Sequence, residues 1–101
     1  MTASKSDSNI ESTNVILKPS RFAVSRTVSG QALILDTTRD EIRQLNEVGT
    51  FIWSMILKSQ FTKHDILNSL IAHFEIDSDQ AISDLEEFLN ELRNVKLLID
   101  N

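Results

Sequence analysis

The chain contains no cysteine, a single proline and only two glycines in 101 residues. The lack of cysteine excludes disulfides, thiolate metal sites and a cysteine nucleophile. Two glycines are too few for a glycine-rich phosphate loop. No run approaches about 18 consecutive apolar residues, so no transmembrane helix is expected. The first residues hold one lysine among Ser, Asp and Asn and lack an apolar core, unlike a signal peptide. The expectation is a soluble, cytoplasmic protein.

At 41% hydrophobic residues the chain can build one small core. Its formal charge of −5 is unevenly spread: residues 1–45 sum to +1 and residues 46–101 to −6. A nucleic-acid binder normally presents a basic face, so the acidic second half argues against one.

Met1 to Asn14 is rich in Ser, Thr, Asn and Asp and cannot offset its ordering entropy by burial. A disordered tail is expected over residues 1–17, with the ordered domain spanning 18–101 and entered near Pro19. Phe22 to Val28 alternates in polarity, Ser29-Gly30 reads as a turn, and Gln31 to Asp36 forms a second strand, together a hairpin. Glu41 to Leu45 is a short third strand at an edge. Asn46 suits a helix N-cap. Val48, Phe51, Ile52, Met55 and Ile56 then recur at helical spacing, and Gly49 among them marks the close approach of another element. Thr62 to Asp65 resembles a capping box and opens a second helix. Asp77 to Asp79 opens a third, whose apolar stripe holds Ala81, Ile82, Leu85, Phe88, Leu89, Leu92 and Val95. Leu97 to Ile99 closes over the core. The order is three strands, then three helices.

Little here looks catalytic. His64 and His73 are nine residues apart, without the i, i+4 pairing of a helical metal site. Asp84, Glu86, Glu87 and Glu91 read as a solvated helix face. No Ser-His-Asp arrangement has motif context. Trp53 reads as a packing anchor. Two features stay open. The third-helix stripe is wide enough for two lines, Ile82, Leu85, Leu89 and Leu92 and, beside it, Ala81, Phe88 and Val95, one facing the core and the other bordering a groove; alternatively, all form a broad core face. Glu41 and Arg43 on the edge strand either guard against aggregation or flank a receptor for an extended peptide.

The run Leu45-Asn46-Glu47-Val48-Gly49 followed by Ile52-Trp53, together with Val28 to Asp36, Phe61 to Ile66 and Leu85 to Leu98, resembles the PqqD family, the peptide-binding RiPP recognition elements. The resemblance spans about residues 18–99, and the corner at Leu45–Gly49 is its specific part. It implies an α+β fold, a three-stranded antiparallel sheet followed by three helices, winged helix-turn-helix-like. It also implies a protein that binds the leader segment of a ribosomally made precursor peptide and presents it to a modifying enzyme, such as a leader peptidase or a radical SAM protein, in coenzyme PQQ or split lasso-peptide pathways. On this resemblance the leader pairs with Glu41, Ile42, Arg43, Gln44 and Leu45 and sets apolar side chains against Leu85, Phe88 and Leu92. The expected protein has no catalytic residue, cofactor, metal, nucleic acid or membrane, and is a monomer.

The chain departs from the family at three places. Thr38-Arg39-Asp40 replaces a glycine-containing turn, Ile42 and Arg43 replace aromatic residues of the edge strand, and Lys96 replaces the usual glycine before Leu97-Leu98. A left-handed Lys96 would be strained, so the third helix is expected to end differently. Two other functions fit the outline: a winged-helix DNA-binding regulator, for which the acidic third helix is a poor reader, and a structural subunit without a peptide partner.

Overall fold

The computed structural model describes residues 15–99. The tail expected over Met1 to Asn14 lies outside the described residues. Eight elements follow in order: β1 (Lys18–Pro19), β2 (Ala23–Val28), β3 (Gln31–Asp36), β4 (Glu41–Gln44), α1 (Glu47–Ile56), α2 (Lys63–Phe74), α3 (Ser78–Asn94) and β5 (Leu98–Ile99).

The hairpin forms where alternation placed it. β2 and β3 pair antiparallel from Ala23 opposite Asp36 to Val28 opposite Gln31. Ser29 and Gly30 both have positive φ, 53° and 82°, the two-residue turn whose twist matches the strands. β4 joins the other side of β3, with Arg43 opposite Ile34 and Ile42 opposite Leu35, so the sheet order is β2-β3-β4. Ala32, Ile34 and Asp36 of β3 face the helices and are buried. The opposite face stays open to solvent. Val24, Leu35 and Ile42 form one row across it, with Val24 54% and Ile42 69% exposed.

Each helix begins at the cap that the sequence supplies. The Asn46 side chain accepts from the Gly49 N–H at 2.8 Å. Thr62 and Asp65 satisfy each other's backbone N–H groups, a capping box in which Asp performs the usual role of Glu. Asp77 accepts from the Gln80 N–H at 2.8 Å. The core joins Ile34, Ile52, Trp53, Ile56, Ile66, Leu70, Leu85, Leu89 and Leu97. Trp53 is its largest member and is 1% exposed.

Four expectations need correction. First, residues 15–17 are not tail. Leu17 is buried in the core and donates its N–H to the Phe61 carbonyl, while Ile16 bridges to Thr62. Second, Leu97 to Ile99 does more than cover the core: β5 pairs with β1 as a separate ribbon, Pro19 opposite Leu98. Two-residue strands carry no periodicity for a sequence to show. Third, the two lines read on α3 do not separate core from groove. Ala81 of one line is fully buried and Ile82 of the other is 44% exposed.

The fourth correction is Lys96. It does adopt the left-handed conformation, φ 63°. Its N–H bonds to the Arg93 carbonyl and the Leu97 N–H to the Leu92 carbonyl, the paired bonds of a Schellman ending. The family's glycine position is thus occupied by a residue with a Cβ. Lys96→Gly should therefore raise the unfolding free energy by about 0.5–1 kcal/mol, a few degrees in thermal midpoint. Calorimetry measures it, and an unchanged or lower midpoint would contradict the strain argument.

Candidate functional site

The site starts from hydrogen-bond parity along β4. The Leu45 N–H bonds to the Ala32 carbonyl at 2.9 Å. In an antiparallel pair, bonded positions alternate, so Arg43 is bonded to Ile34 in the same way. The backbone groups of Ile42 and Gln44 therefore point away from β3, along an edge that no described strand covers. Gln44 is steadied by its side chain, which donates to Gln31 Oε1 at 2.8 Å.

The position of that edge is fixed at both ends. At its start, Asp36 is buried and accepts from the Thr38 hydroxyl at 2.7 Å and the Thr38 N–H at 3.0 Å. The Thr38 side chain leads in holding the Asp36 carboxyl below its ordinary range, against the opposing effect of burial and with smaller help from Arg39. Arg39 also donates to the Val95 carbonyl at 3.4 Å, tying this turn to the end of α3. At the other end, Leu45 is buried and the chain passes through Asn46 directly into α1.

Beside that corner lies a cleft of about 240 Å³ between the first turns of α1 and the middle of α3. Val48, Gly49 and Ile52 line one wall; Asp84, Glu87, Phe88 and Glu91 line the other. Gly49 explains how the helices come so close. A Cβ there would lie 3.1 Å from the Phe88 ring.

The expected site residues separate into two groups. Glu41, Ile42 and Gln44 are exposed on β4, and Arg43 is half-buried with its Nε lacking a hydrogen-bond partner among the described residues. Phe88 reaches the cleft wall. Leu45, Leu85 and Leu92 are buried in the core, the last two 1% and 2% exposed. The physical reason is helical phase. The face of α3 turned inward is Ala81, Leu85, Leu89 and Leu92, and the cleft takes the adjacent strip that begins at Asp84. Asp84, Glu87 and Glu91 were read as solvated surface; their spacing of three and four around Phe88 was the signal that they share its edge.

His73 is not placed for metal binding. Its ring stacks on Phe51 with centroids 4.5 Å apart and meets Phe74 edge-on. Among the described residues no three His, Asp or Glu side chains converge on a metal position.

The core assignment is testable. Leu85→Ala and Leu92→Ala should each lower the unfolding free energy by about 2–4 kcal/mol, while Glu87→Gln stays within about 0.5 kcal/mol. Urea denaturation measures all three. A loss under about 1 kcal/mol for Leu85→Ala would return that side chain to the cleft.

The family model of coenzyme PQQ synthesis protein D (PqqD) matches residues 31–98. Among solved structures, the chain is similar to TbiB1 in complex with the TbiA(beta) leader peptide, at 27% identity and a TM-score of 0.74, over 80% of this chain and 93% of that one. It also shares the fold of lasso peptide synthetase B1 complexed with the leader peptide, at 17% identity and a TM-score of 0.72, over 82% of this chain and 96% of that one. No curated protein matches it.

Proposed function

The chain belongs to the PqqD family, and from that premise we propose that it is a non-catalytic adaptor for a ribosomally synthesised precursor peptide. The leader segment adds as a strand to β4, over Glu41–Gln44, and the adaptor presents the rest of the precursor to a modifying enzyme such as a leader peptidase or a radical SAM protein. The observation that carries this reading is the outward-facing backbone of Ile42 and Gln44 on an uncovered edge whose strand leads directly to Asn46, which lines the cleft with Phe88. An open edge offers main-chain hydrogen bonds, and a recess with Val48 and Phe88 in its lining offers a seat for a side chain. Both similar solved proteins hold leader peptides, which supports the same ligand class here.

A DNA-binding reading gains nothing from the fold. A reader helix must approach phosphates, and the outer strip of α3 carries Asp84, Glu87 and Glu91.

An adaptor also needs a surface that the peptide leaves free. We assign the enzyme contact to the open sheet face, where Val24, Leu35 and Ile42 form an apolar row continuous with the β4 edge. A peptide strand beside β4 would extend that face by one strand.

Two measurements test these assignments. The leader of the precursor encoded beside this gene should bind the full chain in the micromolar range or better; no binding at about 100 μM would count against an adaptor. Gln44→Pro removes an N–H that points out of the sheet, so the ladder to β3 survives while the peptide loses a donor. That variant and Arg43→Glu should each weaken binding about tenfold, and unchanged affinity in both would refute the β4 assignment. Val24→Lys should leave peptide affinity intact yet slow processing by the enzyme encoded alongside; normal processing would move the enzyme contact elsewhere.

A further inference from the structure

Main-chain pairing at β4 is blind to sequence, so the choice of peptide must come from side chains around the edge. Arg43 is sent by the strand itself toward the helices. It stands opposite Ile34, which is fully buried, so it lies on the inner side of β4, between Glu41 and Leu45. Its side chain is half-buried, and its Nε is buried without a hydrogen-bond partner among the described residues. Nor does Arg43 form an ion pair among them. Asp36 is taken by Arg39 and Glu86 by Lys63, while Glu41, two residues away on the same side of the strand, leaves it unpaired. A guanidinium in this position has given up part of its hydration without an acceptor in return. An acceptor supplied from outside would recover that loss.

Strand addition supplies one at a defined place. Arg43 is bonded inward to Ile34, and the backbone groups of Ile42 and Gln44 face outward. An antiparallel strand laid on that edge makes its ladder bonds at Ile42 and Gln44. Arg43 then falls in the non-hydrogen-bonded pair between them. Facing residues in such a pair are the closer kind, with Cα atoms about 4.5 Å apart and side chains on the same side of the sheet. The peptide residue opposite Arg43 is thus directed toward the helices, beside the guanidinium. An apolar residue there would cover the cation and leave it unsatisfied, and a basic one would repel it. From this geometry, which rests on the adaptor reading above, we infer that the recognised peptide carries an aspartate or glutamate at the position opposite Arg43. Its carboxylate accepts from the guanidinium in a charge-assisted bond that the planar fork can make twice. The same charge selects the register. A peptide slipped by one residue would turn its acid to the open face of the sheet, and one slipped by two would set it against Glu41 or Leu45.

The probe is a random library of 12-residue peptides displayed on phage and selected on the immobilised full chain. Enriched peptides should share one Asp or Glu and should lose binding to Gln44→Pro. Arg43→Met keeps an apolar stem of similar length and removes the charge. It should bind these peptides about tenfold more weakly. Exchanging the shared acid for Asn or Gln should cost the unaltered chain a similar factor and Arg43→Met almost nothing, the signature of a direct pair. That exchange is made in the peptide, so it reads out even where a variant is destabilised. Selection on Arg43→Glu should enrich Lys or Arg at the same position. If peptides that depend on Gln44 share no acid, or share an aromatic residue in its place, or bind Arg43→Met normally, the inference fails while the adaptor reading stands. If nothing is enriched above an unrelated control protein, or binding ignores Gln44→Pro, the adaptor reading fails and the inference falls with it.

Discussion

The contact between Gly49 and Phe88 is the constraint on which the geometry of the site depends. α1 leaves the sheet after only Leu45 and Asn46, so its first turn sits at the end of β4. α3 can run beside that turn only if the position facing Phe88 has no side chain, because a Cβ there would already be 3.1 Å from the ring. The glycine costs helix stability, roughly 1 kcal/mol against alanine. What it permits is an aromatic wall and an acidic strip on α3 brought against the first turn of α1, where the chain leaves the edge strand. A larger residue at position 49 would push Phe88 into the cleft or move α3 away, and either would separate the recess from the edge.

The rest of the fold holds that arrangement in register. Since side chains alternate along a strand, a slip of one residue in β4 would exchange Arg43 and Ile42 between faces. The Asp36 turn prevents it: its carboxylate holds Thr38, and its carbonyl accepts from the Arg39 and Asp40 N–H groups. Arg39 then reaches the Val95 carbonyl, just past the end of α3. α3 itself is terminated at Lys96 so that Leu97 can be buried and Leu98 can pair with Pro19. The two ends of the described chain therefore close on each other.

Much of this was legible in the residues. Alternation, the Ser29-Gly30 turn and the three N-caps located β2, β3 and all three helices, because each is a local signal with its own physical cause. The PqqD resemblance rested on the Leu45–Gly49 corner, which is also the structural pivot. The misses were non-local. β1 and β5 exist only by pairing with each other across the length of the domain, and Leu17 is core only because Phe61 and Thr62 meet it. The site was half legible for the same reason. Edge strand and Phe88 could be named from pattern, but whether Leu85 or Asp84 faces the cleft is a rotation of less than half a turn about the α3 axis, fixed by packing against α1 and α2. Lys96 was misjudged by applying strain as a veto: tertiary pairing on both sides of that residue outweighs a penalty of roughly 1 kcal/mol.

The same logic separates affinity from selectivity in the proposed adaptor. Edge hydrogen bonds are available to almost any extended peptide, so a bare edge alone would be promiscuous and prone to self-association. The short length of β4, four residues, limits that tendency. Arg43 adds to the limit, since it lies on the helix-facing side of the strand with its Nε buried and without a hydrogen-bond partner among the described residues, where a second copy of β4 would bring a like charge. A leader peptide faces no such obstacle if its own side chains suit the cleft. Selectivity then belongs to Arg43, to the side chains of α3 and to the first turn of α1, which no hydrogen-bond ladder occupies. In this reading the corner at Leu45–Gly49 positions the edge, and the side chains around it, Ile42 and Arg43 among them, differ from those of the family.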